Sequence, residues 1–420
     1  MLFQRFEKKG RTGIAIAVTV LLLCSPASAR ADVVLDWNVT MLTTLAGLSP
    51  FATQRFAAIT QLAVFEAVNA VKGDYEPYLG TIEAAPGASA EAAAATAAHA
   101  VLKVYFPAKV AALDAALAAS LTEVPDGQAK TDGIAVGEAA AAAMIALRAN
   151  DGSASPSFYA PGPPVPGQWQ RTPSCPAAGG TNFHWRDVTP FGVPDVKEFR
   201  VGPPPSLISG TYSKDYAEVR TVGALDSVRP QDREDVARFY AGFAPASWAN
   251  SAARQAATAQ GRSLSETARA LALLNMALND ASVAVFDSKY HYNVWRPETA
   301  IRAGDTDDNP KTDPDATFVP LITAPCFPAY PSNHGTASSA ASEVLARVYG
   351  ASGHDITLST AILPGVFLHY TAFKRIVEDV DDARVYGGIH FRFDQEAGGR
   401  QGERIGQYVY KHNLRPVHPE

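Results

Sequence analysis

Alanine at helical spacing constrains this chain more than any other feature. The segments 90–105 and 137–149 are dominated by alanine, which loses least on entering a helix. A single-residue tract can also mean disorder, but 47% of the chain is hydrophobic and 19% charged, the balance of a chain with a packed core. Ser49-Pro50 is a helix-start signal, with a capping side chain and then a proline suited to the first turn. Apolar residues at helical spacing follow over 51–71, and Pro107 opens a further helix. Ser263-Leu264-Ser265-Glu266 is a capping box, with an apolar helix after it to about Tyr290. Alternation of period two is nearly absent. The expected fold is all-α, one helical bundle or two stacked, with few or no strands.

Asn150-Asp151-Gly152 closes the first half, and a Pro/Gly-rich connection runs over 153–206. A connection that long is either functional or a linker. Its aromatics, among them Tyr159, Trp169, Phe183 and Trp185, predict that it packs on the body as a cover. Helices resume from Tyr212.

The first residues read as a secretory leader. Arg5, Lys8, Lys9 and Arg11 precede an apolar run at 12–24, and Ala27-Ser28-Ala29 and Ala29-Arg30-Ala31 offer cleavage sites. The run is short for a span of about 20 residues, and no later segment reads as long and apolar enough to cross a membrane. Leu23 before Cys24 disfavours a lipoprotein. The expected organisation is a leader at 1–31 and a helical domain at 32–420, exported to the periplasm or beyond. Cys175 and Cys326 remain after cleavage, and neither a bridge nor free thiols is favoured. A net charge of −6 without a basic stripe excludes a nucleic-acid binder.

Three segments carry chemistry. Lys289 and Arg296, seven apart before Pro297, lie two turns apart on one face if the helix persists so far, and two cations ending an apolar helix are costly to bury unless an anion meets them. Salt bridges to Asp287 or Glu298 are the plainer alternative. Pro331-Ser332-Asn333-His334 precedes a helix-forming stretch that ends near Gly350, placing backbone N–H groups beside a hydroxyl and an imidazole. An ordinary cap with a surface histidine is the alternative. Arg384, the Gly387-Gly388 bend, His390 and Asp394 form the third; Asp394 can fix the tautomer of His390, or the two are a surface pair.

Together these supply three cations, a serine, two histidines and a helix N-terminus, the parts of a site for a tetrahedral oxyanion. Lys-x6-Arg-Pro, Pro-Ser-x-His and Arg-x5-His-x3-Asp, in that order, resemble the signature motifs of the acid phosphatase and vanadium haloperoxidase superfamily. The segments 62–70, 75–78 and 327–331 also resemble bacterial exported vanadium-dependent haloperoxidases. The region 255–415 carries the core motifs.

The resemblance implies an enzyme. His390 is then the vanadium ligand, and Lys289, Arg296 and Arg384 neutralise the vanadate oxygens. Ser332 and the N–H of Asn333 donate to them, and His334 manages protons. Hydrogen peroxide and a halide are the substrates, with a hypohalous-acid equivalent delivered to an organic molecule. The alternative is an exported phosphatase without vanadate, in which His390 forms a phosphohistidine and His334 protonates the leaving oxygen. Asn333 and Ala383 depart from the family pattern, which has Gly and often Ser there. If the backbone at 333 needs a positive φ, Asn tolerates it, yet its side chain can crowd the site, so Asn333→Gly is expected to strengthen vanadate binding. Phe327, five residues before Ser332, resembles the chloroperoxidase type. The halide, the organic substrate and the oligomeric state, homo-oligomer included, stay open. The acidic stretch 305–309 reads as a solvated turn. His99, His184, His354 and His369 read as structural, while His291 and Tyr292 lie close enough to Lys289 to line the site.

Overall fold

A computed structural model describes residues 32–80 and 82–418; the expected leader lies outside the described residues. The N-terminal half comprises α1 Val33–Thr44, α2 Pro50–Lys72, α3 Ala90–Tyr105, α4 Val110–Thr122 and α5 Gln128–Arg148. Ser49 caps α2 by accepting from the N–H of Ala52, with Pro50 in its first turn, as the sequence predicts. Helix α5 begins earlier than the alanine tract. Gly133 and Gly137 are contact points within it rather than boundaries: a Cβ at Gly137 would lie 2.5 Å from the carbonyl oxygen of Ala93 on α3. Helix α1 has no counterpart in the sequence reading; it buries Val34, Trp37 and Met41.

The connection to the C-terminal half has only two short 3-10 turns, Phe183–Asp187 and Val196–Phe199. It packs on the body, burying Trp169 and Trp185. Three devices pin it. The buried Asp280 carboxylate accepts the N–H groups of Phe191, Gly192 and Val193 at 2.7, 2.6 and 3.0 Å. Cys175 and Cys326 form a disulfide, and the N–H of Thr181 donates to the carbonyl of Cys326 at 2.7 Å.

The C-terminal half holds α6 Gly210–Val222, α7 Gln231–Gly242, α8 Pro245–Gln260, α9 Leu264–Tyr292, α10 Pro297–Arg302, α11 Asn333–Tyr349, α12 Phe373–Tyr386 and α13 Arg392–His412. Between α11 and α12, β1 Ser352–Ser359 and β2 Phe367–Ala372 form an antiparallel hairpin with Ile356 opposite Tyr370. The regular structure is otherwise helical among the described residues, the all-α bundle expected.

Helix α9 is the axis of the molecule. It packs on α2 to one side and on α11 and α13 to the other, and every residue from Ala270 to Tyr290 is buried. A helix apolar all round is a core helix or a membrane span. Contrary to the sequence reading, α9 is long and apolar enough to cross a membrane, yet 94% of its apolar window is buried inside the protein. It is therefore a core helix. The capping box at its start forms as expected, with the Ser263 hydroxyl and Glu266 carboxylate bonded reciprocally to the backbone.

The stretch 305–309 is a turn with Asp305, Thr306 and Asp308 exposed, as expected, but Asp307 and Asn309 turn inward. Asp307 is buried and accepts from the N–H of Asn309 at 3.0 Å and the hydroxyl of Thr312 at 2.8 Å. Two local acceptor bonds hold it inside the loop.

Candidate oxyanion site

Four chain segments converge at one end of α9. Lys289 lies in the last turn of α9, which ends at Tyr292 with Asn293 in the left-handed conformation, its N–H donating to the carbonyl of Lys289 at 2.8 Å. Arg296 is therefore not on the same helix; it is the extended residue before Pro297 that opens α10. The sharp turn at Asn293, not helical periodicity, brings the two cations together. Salt bridging does not explain them. Asp287 pairs with Arg200 and Glu298 with Arg302.

Lys289 is fully buried. Its ammonium donates to the carbonyls of Pro328, Ala329 and Pro331 at 2.9, 2.7 and 2.5 Å, in the segment that contains the cis Tyr330–Pro331 peptide. Arg296 Nε donates to the carbonyl of Phe327 at 2.8 Å and Nη1 to that of Ile389 at 2.9 Å. Phe327 faces both cations: its ring centroid lies 5.4 Å from Lys289 Nζ and 5.0 Å from the Arg296 guanidinium carbon.

Ser332 caps α11, its hydroxyl accepting from the N–H of Gly335 at 3.3 Å. The N–H groups of Asn333 and His334 occupy the first two helical positions, where no intrahelical acceptor exists. Asn333 takes ordinary right-handed helical geometry, so no positive φ is required of it. Its side-chain oxygen lies 3.4 Å from the Ser282 hydroxyl of α9, whose single proton goes chiefly to the nearer Gln54 side-chain oxygen. The expected crowding is thus relieved by a partner on α9 that the sequence did not reveal.

Arg384 sits in the last turn of α12. Gly388 follows with φ +76°, and a Cβ there would lie 2.3 Å from the carbonyl oxygen of Gly223, so only glycine lets the chain turn toward His390. His390 precedes α13 rather than lying in it, and Asp394 is the third residue of that helix. Their pairing survives for a different reason than helix spacing. The Asp394 carboxylate reaches back over the helix start and accepts from the N–H of Phe391 at 3.0 Å and from His390 Nδ1 at 2.9 Å. The pair is buried. With Nδ1–H donating, Nε2 carries the lone pair, and Arg296 Nη1 donates to it at 3.0 Å.

A packing device joins the second and third segments. A Cβ at Gly398, Gly402 or Gly406 would lie 2.7, 2.1 or 2.6 Å from the carbonyl oxygens of Ser332, Thr336 and Ala340. This glycine face of α13 lets α11 approach until backbones touch, and it fixes the Ser332 end of α11 beside His390. The spacing of these glycines is legible in the sequence, but their partner is not.

The electrostatics are one-sided. Among the described residues Lys289, Arg296 and Arg384 take part in no ion pair. Arg296 Nη2 and Arg384 Nε are buried without a hydrogen-bond partner. Burial lowers Arg296 to about 9 and Arg384 to about 10, so both stay charged at neutral pH. Burial, then Arg296, holds the Lys289 ammonium well below its ordinary value. Burial, then the three cations, pushes His390 and the half-buried His334 well below the usual imidazole range. The Asp394 carboxyl is raised to about 7 by burial, against the pull of Lys289. Buried cations without counter-charges are costly, and an anion held among them removes that cost. His291 is exposed, and the Tyr292 hydroxyl donates to the carbonyl of Val201 at 2.5 Å, so neither lines the site.

Residues 269–419 match the family model described as the VCPO second helical-bundle domain. Among solved structures, a bacterial vanadium-dependent iodoperoxidase superposes with a TM-score of 0.74 at 25% identity, covering 92% of this chain and 97% of that one. Holo and apo forms of a bacterial vanadium-dependent chloroperoxidase give 0.71 and 0.70 at 16% and 17% identity, each covering 88% of this chain and 93% and 95% of theirs. No curated protein matches the chain by sequence.

Proposed function

We propose that this chain, similar over residues 269–419 to the VCPO second helical-bundle domain and over 92% of its length to a bacterial vanadium-dependent iodoperoxidase, is an exported, vanadate-dependent haloperoxidase that oxidises a halide with hydrogen peroxide to a hypohalous-acid equivalent. One observation carries the reading: Lys289, Arg296 and Arg384, buried and in no ion pair among the described residues, gather around a carboxylate-fixed histidine whose Nε2 lone pair faces Arg296.

The residues present fit a tetrahedral oxyanion. Arg296 Nη2 and Arg384 Nε are sealed donors in need of an acceptor, and the first turn of α11 adds the N–H groups of Asn333 and His334. Lys289, Arg296 and Arg384 would balance the charge of vanadate, and Ser332 adds a hydroxyl. His390 Nε2 offers the ligating lone pair, because Nδ1 is committed to Asp394. Vanadate, when bound, supplies the Lewis-acid centre at which peroxide becomes electrophilic toward halide.

The protein's own part is orientation and proton handling. Asp394 holds the imidazole of His390 in one tautomer and one plane. His334, neutral because burial and the neighbouring cations disfavour its charged form, is a base able to take the proton of an incoming hydrogen peroxide. Phe327 packs over Lys289 and Arg296, excluding water from their apolar flank. The Cys175–Cys326 disulfide supports export through a leader at 1–31, since such bonds persist in oxidising compartments.

A paired assay tests the reading. Purified protein receives vanadate, hydrogen peroxide and bromide, and bromination of a reporter is followed beside vanadate binding by calorimetry. Bromination and binding that both vanish in His390→Ala are expected. Hydrolysis of a phosphate ester, inhibited by vanadate and without bromination, would overturn the proposal.

A further inference from the structure

A second site shares no lining residue with Lys289, Arg296, Arg384 and His390. A cleft of about 660 Å³ opens between α11, α12 and α13. Its acids are Glu343, Glu378, Asp381, Glu396 and Glu403, against Lys374 and Arg400 as its only cations among the described lining residues. Arg347 and Arg375 pair with Glu343 and Glu378 at the rim, whereas Asp381 takes part in no ion pair among the described residues.

The floor distinguishes this cleft from an ordinary acidic surface. Gln395 is 1% exposed, and both its amide oxygen and its amide nitrogen lack a partner. Asp381 Oδ1 is likewise sealed and unpartnered. The two acceptors converge behind Gly335: a Cβ there would lie 3.0 Å from Gln395 Oε1 and 3.3 Å from Asp381 Oδ1. Buried polar atoms without partners are rare in native proteins, and these face a cleft from which a partner can reach them. No cluster of three or more His, Cys, Asp or Glu side chains among the described residues is placed to hold a metal ion. An ammonium fits. It brings three donors for Asp381, Gln395 and the Ser339 hydroxyl, and Ala346, Ala351 and Val377 line a wall suited to methylenes.

We propose that this cleft binds a primary alkylammonium, with its charged head on Asp381 and Gln395 and its chain along the α11–α12 wall. Burial, with neighbouring Asp382, Glu378 and Glu396, raises the Asp381 carboxyl to about 7; a bound cation favours its charged form. The site is independent of the oxyanion reading, and its failure leaves that reading untouched.

Calorimetric titration of the purified protein with 1,4-diaminobutane at low ionic strength tests it, with 1,4-butanediol as the neutral isostere. Saturable binding of the diamine, none of the diol, and loss of binding in Gln395→Leu are expected. Glu396 is exposed at the rim, so Glu396→Lys leaves the fold intact and is expected to weaken binding about tenfold through charge reversal. The inference is overturned by absence of diamine binding, by equal binding of the diol, by calcium or magnesium binding without the diamine, or by unchanged affinity in Glu396→Lys. A folded Gln395→Leu variant with wild-type affinity overturns it as well.

Discussion

Gly402→Ala separates helix propensity from tertiary packing in one measurement. Propensity alone favours alanine in the middle of α13 by about 1 kcal/mol. The structure opposes it. The added methyl would sit 2.1 Å from the carbonyl oxygen of Thr336, 2.8 Å from the amide nitrogen of Ala340 and 2.9 Å from the Cβ of Ser339. Two of these are backbone atoms of α11 and cannot rotate away. Restoring ordinary van der Waals contact requires the helices to part by roughly 1.3 Å. Overpacking of this severity costs about 3 kcal/mol, so the net loss is about 2 kcal/mol. In a unit of this size that lowers Tm by about 2–3 °C. Gly399→Ala is the matched control: it meets only the Ser339 hydroxyl at 3.6 Å, so propensity wins and Tm rises. The shift also moves the Ser332 end of α11 away from His390, so Gly402→Ala weakens phosphate or vanadate binding and Gly399→Ala does not. Scanning calorimetry and oxyanion titration of both variants decide the matter. A Gly402→Ala protein more stable than wild type, with unchanged oxyanion affinity, refutes the close-packing argument.

Four further outcomes are expected. Asp394→Asn leaves His390 without its fixed acceptor and weakens vanadate binding by about 10–100-fold, read by calorimetry. Oxyanion binding favours the charged form of Lys289, which burial and Arg296 disfavour, so vanadate affinity is expected to fall as pH rises, and to fall less in Lys289→Arg, whose charge does not titrate; identical pH profiles of the two proteins exclude the linkage. Asp381 is raised from 3.8 to about 7, so the stability of its protonated form is full below pH 4 and is lost as pH rises through 7. Asp381→Asn keeps that form's shape, and its Tm advantage over wild type grows between pH 4 and pH 8. Replacing both Cys175 and Cys326 by serine opens a connection of 151 residues and costs up to about 5 kcal/mol by the chain-entropy argument, seen as a lower Tm that reductant no longer changes.

Asn333→Gly now carries a different expectation from the one its sequence suggested. The residue is helical and its side-chain oxygen is turned toward Ser282 of α9, so glycine relieves no backbone strain, adds its own helix penalty of up to about 1 kcal/mol and brings no gain in vanadate affinity. The sequence could show the departure from the family pattern but not the hydroxyl on α9 that accommodates it.

What the sequence determined by itself is what local physics carries. Alanine content, Ser49-Pro50 and the Ser263–Glu266 box set α2, α3 and α9, because propensity and capping act within one turn. The order and types of Lys289, Arg296, Ser332, His334, Arg384, His390 and Asp394 were likewise on the page, since an oxyanion site needs cations, donors and a base whatever holds them. Tertiary structure decided the rest. Lys289 and Arg296 meet through a left-handed turn at Asn293, not along a helix face. His390 meets Asp394 because a carboxylate at the third helical position reaches back over the helix start. Gly133 and Gly137 are packing contacts, and Asp307 is buried by bonds to Asn309 and Thr312. In each case the deciding partner is an atom brought close by the fold, and no spacing along one strand of sequence encodes where that atom will lie.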